Sequence, residues 1–261
     1  MFTQTSFPSL FIYTLQSTFY GPSAGLTIHA VGGILRLSHK YMVPSLRQPA
    51  VKYFEDRIPV SLEEYDQKTP PRKMFSSPDW WIPRDVLAKT DGSTLNLVTL
   101  FRECGLDKFL PWIFYEMTFR LLPGEIIAIE SLPNEIKAQL FQGKGRFERE
   151  YRRRYRKVFE LGEEEAVHMQ CNERTRYHWL NWMGDTYDNR AALCILDSPP
   201  LIKSEDGTVE LVQPAELDRW QPCYACGNTW ISESLQVRRE LWDRLPGYFG
   251  LDNWDVLKSK D

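Results

Sequence analysis

The chain has 261 residues and a mass of 30.7 kDa, and a chain of this size buries roughly 70% of the surface it exposes when extended. Hydrophobic residues make up 43% and charged residues 26%, and 14 Phe, 12 Tyr and 9 Trp need a dry interior, which excludes wholesale disorder. A net charge of -3 offers no global positive field for nucleic acid or membrane, and five scattered cysteines do not make a disulfide framework.

The odd cysteine count points to a reducing, intracellular setting, cytoplasm or nucleus. No charged side chain precedes Arg36. Thr14, Gln16, Ser17 and Thr18 interrupt the apolar runs well short of the ~20 residues a membrane span requires. Phe7 to Leu15 has the length of a short signal core, but no basic residue introduces it. We expect this stretch to belong inside a fold whose earlier part lies outside the sequence.

Val31, Ile34, Leu35 and Ser38 recur at helical spacing, with Arg36, His39 and Lys40 opposite, so a helix is predicted over Val31 to Tyr41. Pro44 starts a second helix with Leu46, Ala50, Val51 and Phe54 on its apolar face. Pro49 lacks a backbone donor and is expected to delay the true start. Residues 66–84, rich in Pro and Ser, read as a connection.

Ser93 is placed to cap a helix through Leu95, Val98, Leu100 and Phe101 that stops at Gly105. Asp107 is placed to cap the next, which buries Leu110, Phe114, Met117 and Leu121. Leu121 to Glu135 reads as a loop, and a long helix is expected from Arg146 to Leu161. A further helical stretch carries Tyr177, Leu180, Met183 and Tyr187. Pro199 to Pro222 reads as a surface excursion turning at Glu205-Asp206-Gly207. The chain closes with a helix from Cys226 to Leu245, broken by Pro246 and Gly247. Nothing repeats with a period of 20 to 50 residues. The fold class expected is mainly α, an irregular multi-helix bundle.

Several motifs could carry chemistry. Gly21-Pro22-Ser23-Ala24-Gly25 matches a nucleophile elbow, with His168 and His178 downstream as bases. Too few residues precede it for the strands an elbow needs, so Ser23 reads more simply as part of a small-residue turn. Cys223 and Cys226 form a CxxC pair, half of a tetrahedral zinc site, and His168 with Cys171 offers the other half across a long gap. Two thiols packing at a helix start is the plainer reading. We therefore assign no catalytic residue, metal or cofactor.

From Lys144 to Lys157 eight cations face only Glu148 and Glu150, with Phe147, Tyr151, Tyr155 and Val158 along one side. A nucleic-acid stripe has this composition, but Glu160, Glu163, Glu164 and Glu165 follow directly. A solvated amphipathic helix accounts for it better. Gly143-Lys144-Gly145 lacks the ending of a phosphate loop.

Two stretches resemble a known family. Ile34-Leu35-Arg36-Leu37-Ser38-His39-Lys40-Tyr41-Met42-Val43-Pro44-Ser45-Leu46 is similar to the closing helix pair of BTB/POZ domains. Leu241-Trp242-Asp243-Arg244-Leu245-Pro246-Gly247-Tyr248-Phe249-Gly250-Leu251-Asp252-Asn253-Trp254, followed by Leu257, resembles the carboxyl tail of many fungal BTB/POZ-containing proteins. The Leu62-Glu63-Glu64-Tyr65-Asp66 segment and the pairs Leu110-Pro111 and Phe114-Tyr115 fall in the same order as in that family.

The resemblance implies a partial BTB/POZ-like segment over 1–58, holding only the closing helices, and an α-helical carboxyl-terminal region over 59–261. It implies a non-enzymatic interaction protein, with proteins as partners and neither membrane nor nucleic acid engaged. Complete BTB domains dimerise and dock cullin-type ubiquitin-ligase scaffolds, and the strands and helices that form most of their dimer surface have no counterpart here. A small zinc-stabilised module on Cys223 and Cys226, and an esterase-like hydrolase on Ser23, are the alternatives. The aromatic tail makes sense on its own: Trp230, Ile231, Leu235, Leu241, Trp242 and Leu245, then Phe249, Leu251, Trp254 and Leu257, should clamp onto the helical body as core.

Overall fold

Helix α1 (Ile28–Lys40) opens at Thr27, whose Oγ1 accepts from the Ala30 amide at 3.3 Å. In the computed structural model, which describes residues 27–68, 97–160, 201–203, 209–211 and 224–259, the chain is mainly helical. The buried side of α1 is Ile28, Val31, Leu35 and Ser38, the expected stripe extended by one turn at its start. Helix α2 (Pro44–Glu55) packs back on it and buries Leu46, Ala50 and Phe54. Pro44 occupies the first turn, where a missing donor costs nothing, and so begins the helix as expected. Pro49 does not delay that start: α2 runs through it, because buried Leu46 lies before it and buried Ala50 and Phe54 after it.

Helix α3 (Leu62–Lys68) starts with Ser61, whose Oγ accepts from the Glu64 amide, while the Glu64 carboxylate accepts from the Val60 amide. Helix α4 (Leu97–Glu103) stops where Gly105 was expected to stop it. Gly105 takes φ +68°, and Leu106 N–H reaches back to the Phe101 carbonyl at 2.8 Å. Asp107 does not act as a cap. It is the first residue of a 3-10 turn (Asp107–Phe109) that leads into α5 (Leu110–Arg120), whose start carries Pro111 and no side-chain cap.

Leu110, Phe114, Met117 and Leu121 are all buried, as their spacing predicts. Burial goes further, however, and takes Trp112, Ile113, Tyr115, Glu116 and Thr118 with them, so α5 is the central rod of the bundle. The expected loop over Leu121 to Glu135 instead contains α6 (Pro123–Ala128). Pro123 sits at its first position, and the Leu122 amide donates to Glu125 Oε2 at 2.6 Å.

The long helix begins twelve residues ahead of its expected start at Arg146: α7 runs Asn134–Glu160. Its buried stripe is Ile136, Leu140, Gly143, Phe147 and Tyr151, spaced by four, three, four and four. The tertiary contact at Gly143 requires a residue without a side chain. A Cβ there would lie 2.9 Å from Phe249 Cγ and nearer still to the ring edge.

Strands β1 (Leu201–Lys203) and β2 (Val209–Leu211) pair antiparallel in the register Leu201–Leu211, Ile202–Glu210 and Lys203–Val209. The excursion expected over Pro199 to Pro222 thus contains a short antiparallel strand pair, and the turn expected at Glu205-Asp206-Gly207 lies outside the described residues. Helix α8 (Tyr224–Asp243) precedes a kink at Arg244 and a short α9 (Leu245–Tyr248). Pro246 therefore starts a new turn rather than merely ending the old one. Gly250 takes φ +65° and reverses the chain into α10 (Trp254–Ser259).

One hydrophobic core joins the described helices. Phe54 of α2 meets Phe101 of α4 edge-on at 5.1 Å, and Phe114 of α5 meets Phe249 at 5.5 Å. Residues on both sides of position 58 thus contribute to the same interior. Of the tail expected in the core, Leu241, Trp242, Leu245, Phe249, Trp254 and Leu257 are buried and Leu235 and Leu251 half-buried, while the side chains of Trp230 and Ile231 lie outside the description. No described helix is long and apolar enough to cross a membrane.

Candidate functional site

Ser23, His168, Cys171, His178 and Cys223 lie outside the described residues. Cys226 falls in the first turn of α8, where the path of the backbone is described and the side chain is not. The nucleophile-elbow and zinc readings therefore stand where the sequence left them. Cys104 is the one cysteine whose surroundings are described. It is 1% exposed, and burial, aided by the Glu103 carboxylate, pushes its thiol above the usual range. A thiol held protonated is the opposite of an activated nucleophile.

The basic stretch of α7 is largely engaged within the fold. Arg153 grips Glu150 with two bonds of 2.7 and 2.8 Å, and Arg154 Nε donates to the same carboxylate at 2.6 Å. Arg154 also reaches Glu240 of α8, Arg244 lies 3.7 Å from Glu150, and Arg146 donates to the Tyr248 carbonyl at 3.4 Å. Lys144 pairs with Glu148 at 4.0 Å. The Arg153 hydrogen bonds, then those from Arg154, hold the Glu150 carboxyl down at about 2. Arg154 and Arg146 tie α7 to α8 and α9 while Arg153 and Lys144 pair within α7, which favours the amphipathic-helix reading over a stripe of free charges. Phe147 and Tyr151 are buried on the other side, as the spacing predicts.

The two segments that carry the family resemblance through the middle and end of the chain meet each other. Tyr65 of α3 packs on Trp242 of α8 at 5.5 Å, and Arg238, 8% exposed, forms a two-pronged ion pair with Asp66. Gln139 of α7 donates to the Phe249 carbonyl and fastens the turn after α9. These contacts fasten α3 and the end of the chain to the rest of the bundle.

Large apolar side chains are exposed at Leu122, Ile127 and Val256 and, as a group of three, at the apex between α1 and α2. Leu37 is 57% exposed, Tyr41 65% and Met42 87%. Leu37 and Tyr41 are one turn apart and share a face of the helix axis. The chain turns through a Schellman motif, in which Val43 N–H donates to the Ser38 carbonyl at 2.9 Å and Met42 N–H to the His39 carbonyl at 3.2 Å. The same turn after α4 and after α9 places a glycine in the left-handed position. Here that position is Met42, at φ +52°. A side chain with a Cβ is strained there, and that of Met42 stands in solvent.

The hairpin around this apex is anchored to the body by charge. Arg36 Nε donates to Glu103 at 2.7 Å, Arg47 to the Cys104 carbonyl at 3.1 Å, and Lys108 to Glu55 at 3.1 Å. The hairpin is thus fastened to the body, and among the described residues its tip is uncovered. Sequence reasoning located this segment through its resemblance and did not single out Leu37, Tyr41 and Met42. The available signal was Leu37 and Tyr41 falling on the polar side of an otherwise regular amphipathic helix.

No family model, curated protein or solved structure matches this chain.

Proposed function

We propose that this is a non-enzymatic interaction protein of the kind its resemblance to fungal BTB/POZ-containing proteins implies, docking other proteins through the α1–α2 apex. The observation that carries the reading is the solvent-facing set Leu37, Tyr41 and Met42 on a hairpin that is otherwise pinned to the core. Adjacent large apolar side chains held in water by a rigid scaffold are a common mark of a protein-binding surface. The described interior supports the same view, since its polar contacts fasten helices to one another. Its described cysteine is buried and protonated rather than activated.

The test compares immobilised wild-type protein with a Leu37→Glu, Tyr41→Glu variant in pull-downs from a fungal lysate, with matched thermal melts to establish that both are folded. Size exclusion with light scattering runs alongside. Proteins retained by the wild type and lost by the variant support the reading. Identical capture by both forms, or monomers that retain nothing, overturn it.

A further inference from the structure

Helix α10 is six residues long, far short of the roughly 12 to 15 at which an isolated helix becomes even marginal in water. Its helical state therefore depends on its seat. Trp254 lies on Trp242 of α8 and donates its Nε1 to the Trp242 carbonyl, and Leu257, one turn on, is buried. The helix also lies against the 3-10 turn Asp107–Phe109. Between it and the body come Gly250, at φ +65°, and residues 251–253, of which Asp252 and Asn253 are exposed. The seat thus has a known occupant, and the chain itself supplies it.

We propose that two copies of this chain exchange α10, each laying its Trp254 and Leu257 in the seat of the other to give a twofold-symmetric dimer. Every contact of the exchanged helix repeats one that the single chain already makes. The two states then differ only in the hinge and in the cost of association, and concentration sets the balance between them. Gly250 is that hinge. The closed chain needs a left-handed residue there to reverse direction, whereas exchange takes an extended path that any residue can adopt.

Detachment without exchange is the poorer state. It puts Trp254 and Leu257 into water together with the face of Trp242, the ring that packs on Tyr65 of α3. A second α10 covers that surface at both seats at once. Charge does not oppose it: Lys108 on the 3-10 turn is paired with Glu55, and Arg238, one turn before Trp242, with Asp66. The incoming helix carries one charge of each sign, Asp255 and Lys258.

The test is light scattering on the 261-residue chain over a concentration series, wild type beside Gly250→Val. A Cβ at Gly250 meets only Gln139 Nε2, at 3.8 Å, so the substitution acts through the backbone angle. It strains the closed turn and spares the exchanged one, and the dimer dissociation constant should fall at least about tenfold below that of wild type. An excess of a synthetic peptide covering residues 251–261 fills the seats in trans and should return the dimer to monomer. Adding Trp254→Ala removes the exchanged anchor and should abolish the dimer.

A Gly250→Val protein that stays monomeric throughout the series overturns the inference, whether or not its α10 is still seated. So does a dimer that the peptide leaves intact, or one that Leu37→Glu with Tyr41→Glu dissolves, since that pairing would run through the apex. Should thermal melts show Gly250→Val unfolded, Gly250→Ala strains the same turn with a smaller side chain and decides in its place. The exchange does not involve the apex, so its failure leaves the interaction reading standing.

Discussion

The indole of Trp254 lies flat against that of Trp242, with centroids 5.6 Å apart and planes 8° from parallel, and its Nε1 donates to the Trp242 carbonyl at 2.9 Å. Trp242 in turn packs on Tyr65, so the end of the chain is coupled through one stack to α3. The hydrogen bond matters because an indole N–H buried without a partner would cost more than the stack returns. The tail is therefore a clamp on the bundle.

Trp254→Ala should remove that clamp and destabilise the protein by about 3–5 kcal/mol, the usual cost of emptying a large aromatic site. Trp254→Phe keeps a ring and loses the hydrogen bond, and should cost about 1–2 kcal/mol. Urea unfolding midpoints at constant slope measure both. A loss well under 1 kcal/mol for Trp254→Ala would mean that the tail does not stabilise the body.

Gly143→Ala is a gain of helix propensity on α7 and should nonetheless destabilise. The new Cβ overlaps the Phe249 ring, and overpacking of this kind costs about 1–3 kcal/mol. Phe249→Leu should lose stability alone and relieve part of the penalty when combined with Gly143→Ala. A double-mutant cycle with coupling near zero contradicts the contact.

Glu150 and Tyr248 predict opposite ends of the pH profile. The Glu150 carboxyl is held at about 2 in the fold by Arg153 and Arg154, below its usual value of 4.5. Its contribution is present above that usual value and is lost as pH falls towards 2, so the stability gap between wild type and Glu150→Gln should close across that acid window. The Tyr248 hydroxyl is buried, has no hydrogen-bond partner among the described residues, and is pushed up to about 12, first by burial and then by Glu150. Its neutral form is favoured by folding, so that contribution is complete below pH 10 and is lost between 10 and about 12. Tyr248→Phe should be neutral or slightly stabilising at pH 7 and should flatten the alkaline loss. Chemical denaturation at a series of pH values reads both variants.

Met42→Gly should stabilise the fold by about 0.5–1 kcal/mol, because the left-handed residue of the turn no longer carries a Cβ. The same change removes the most exposed apolar side chain of the apex. A more stable protein with weaker partner capture would show that the strain at this turn is retained for binding. Thermal melts and the pull-down, run on the same preparation, give both readings.

Much of the helical framework was legible in the residues themselves. The apolar spacing of Val31, Leu35 and Ser38, the stripe from Leu110 to Leu121, the stop at Gly105 and the burial of the tail aromatics all rest on local pattern, which needs no knowledge of distant chain. Errors arose where a local rule met a long-range contact. Pro49 reads as delaying the start of α2 until Phe54 and Leu46 are seen buried on either side of it. The expected start at Arg146 leaves out the earlier turns of α7, where the Phe249 ring fills the space a side chain at Gly143 would take.

The sequence alone determined that this chain is mainly helical and that its aromatic end belongs inside, because periodicity and burial tendency are properties of neighbouring residues. Only the tertiary structure decided that Arg154 of α7 reaches Glu240 of α8, and that the Leu62–Asp66 segment receives the tail. It alone decided, too, that Leu37, Tyr41 and Met42 stay in water. Which charges pair and which apolar side chains remain uncovered depends on what another part of the chain brings to the same place, and no local pattern encodes that.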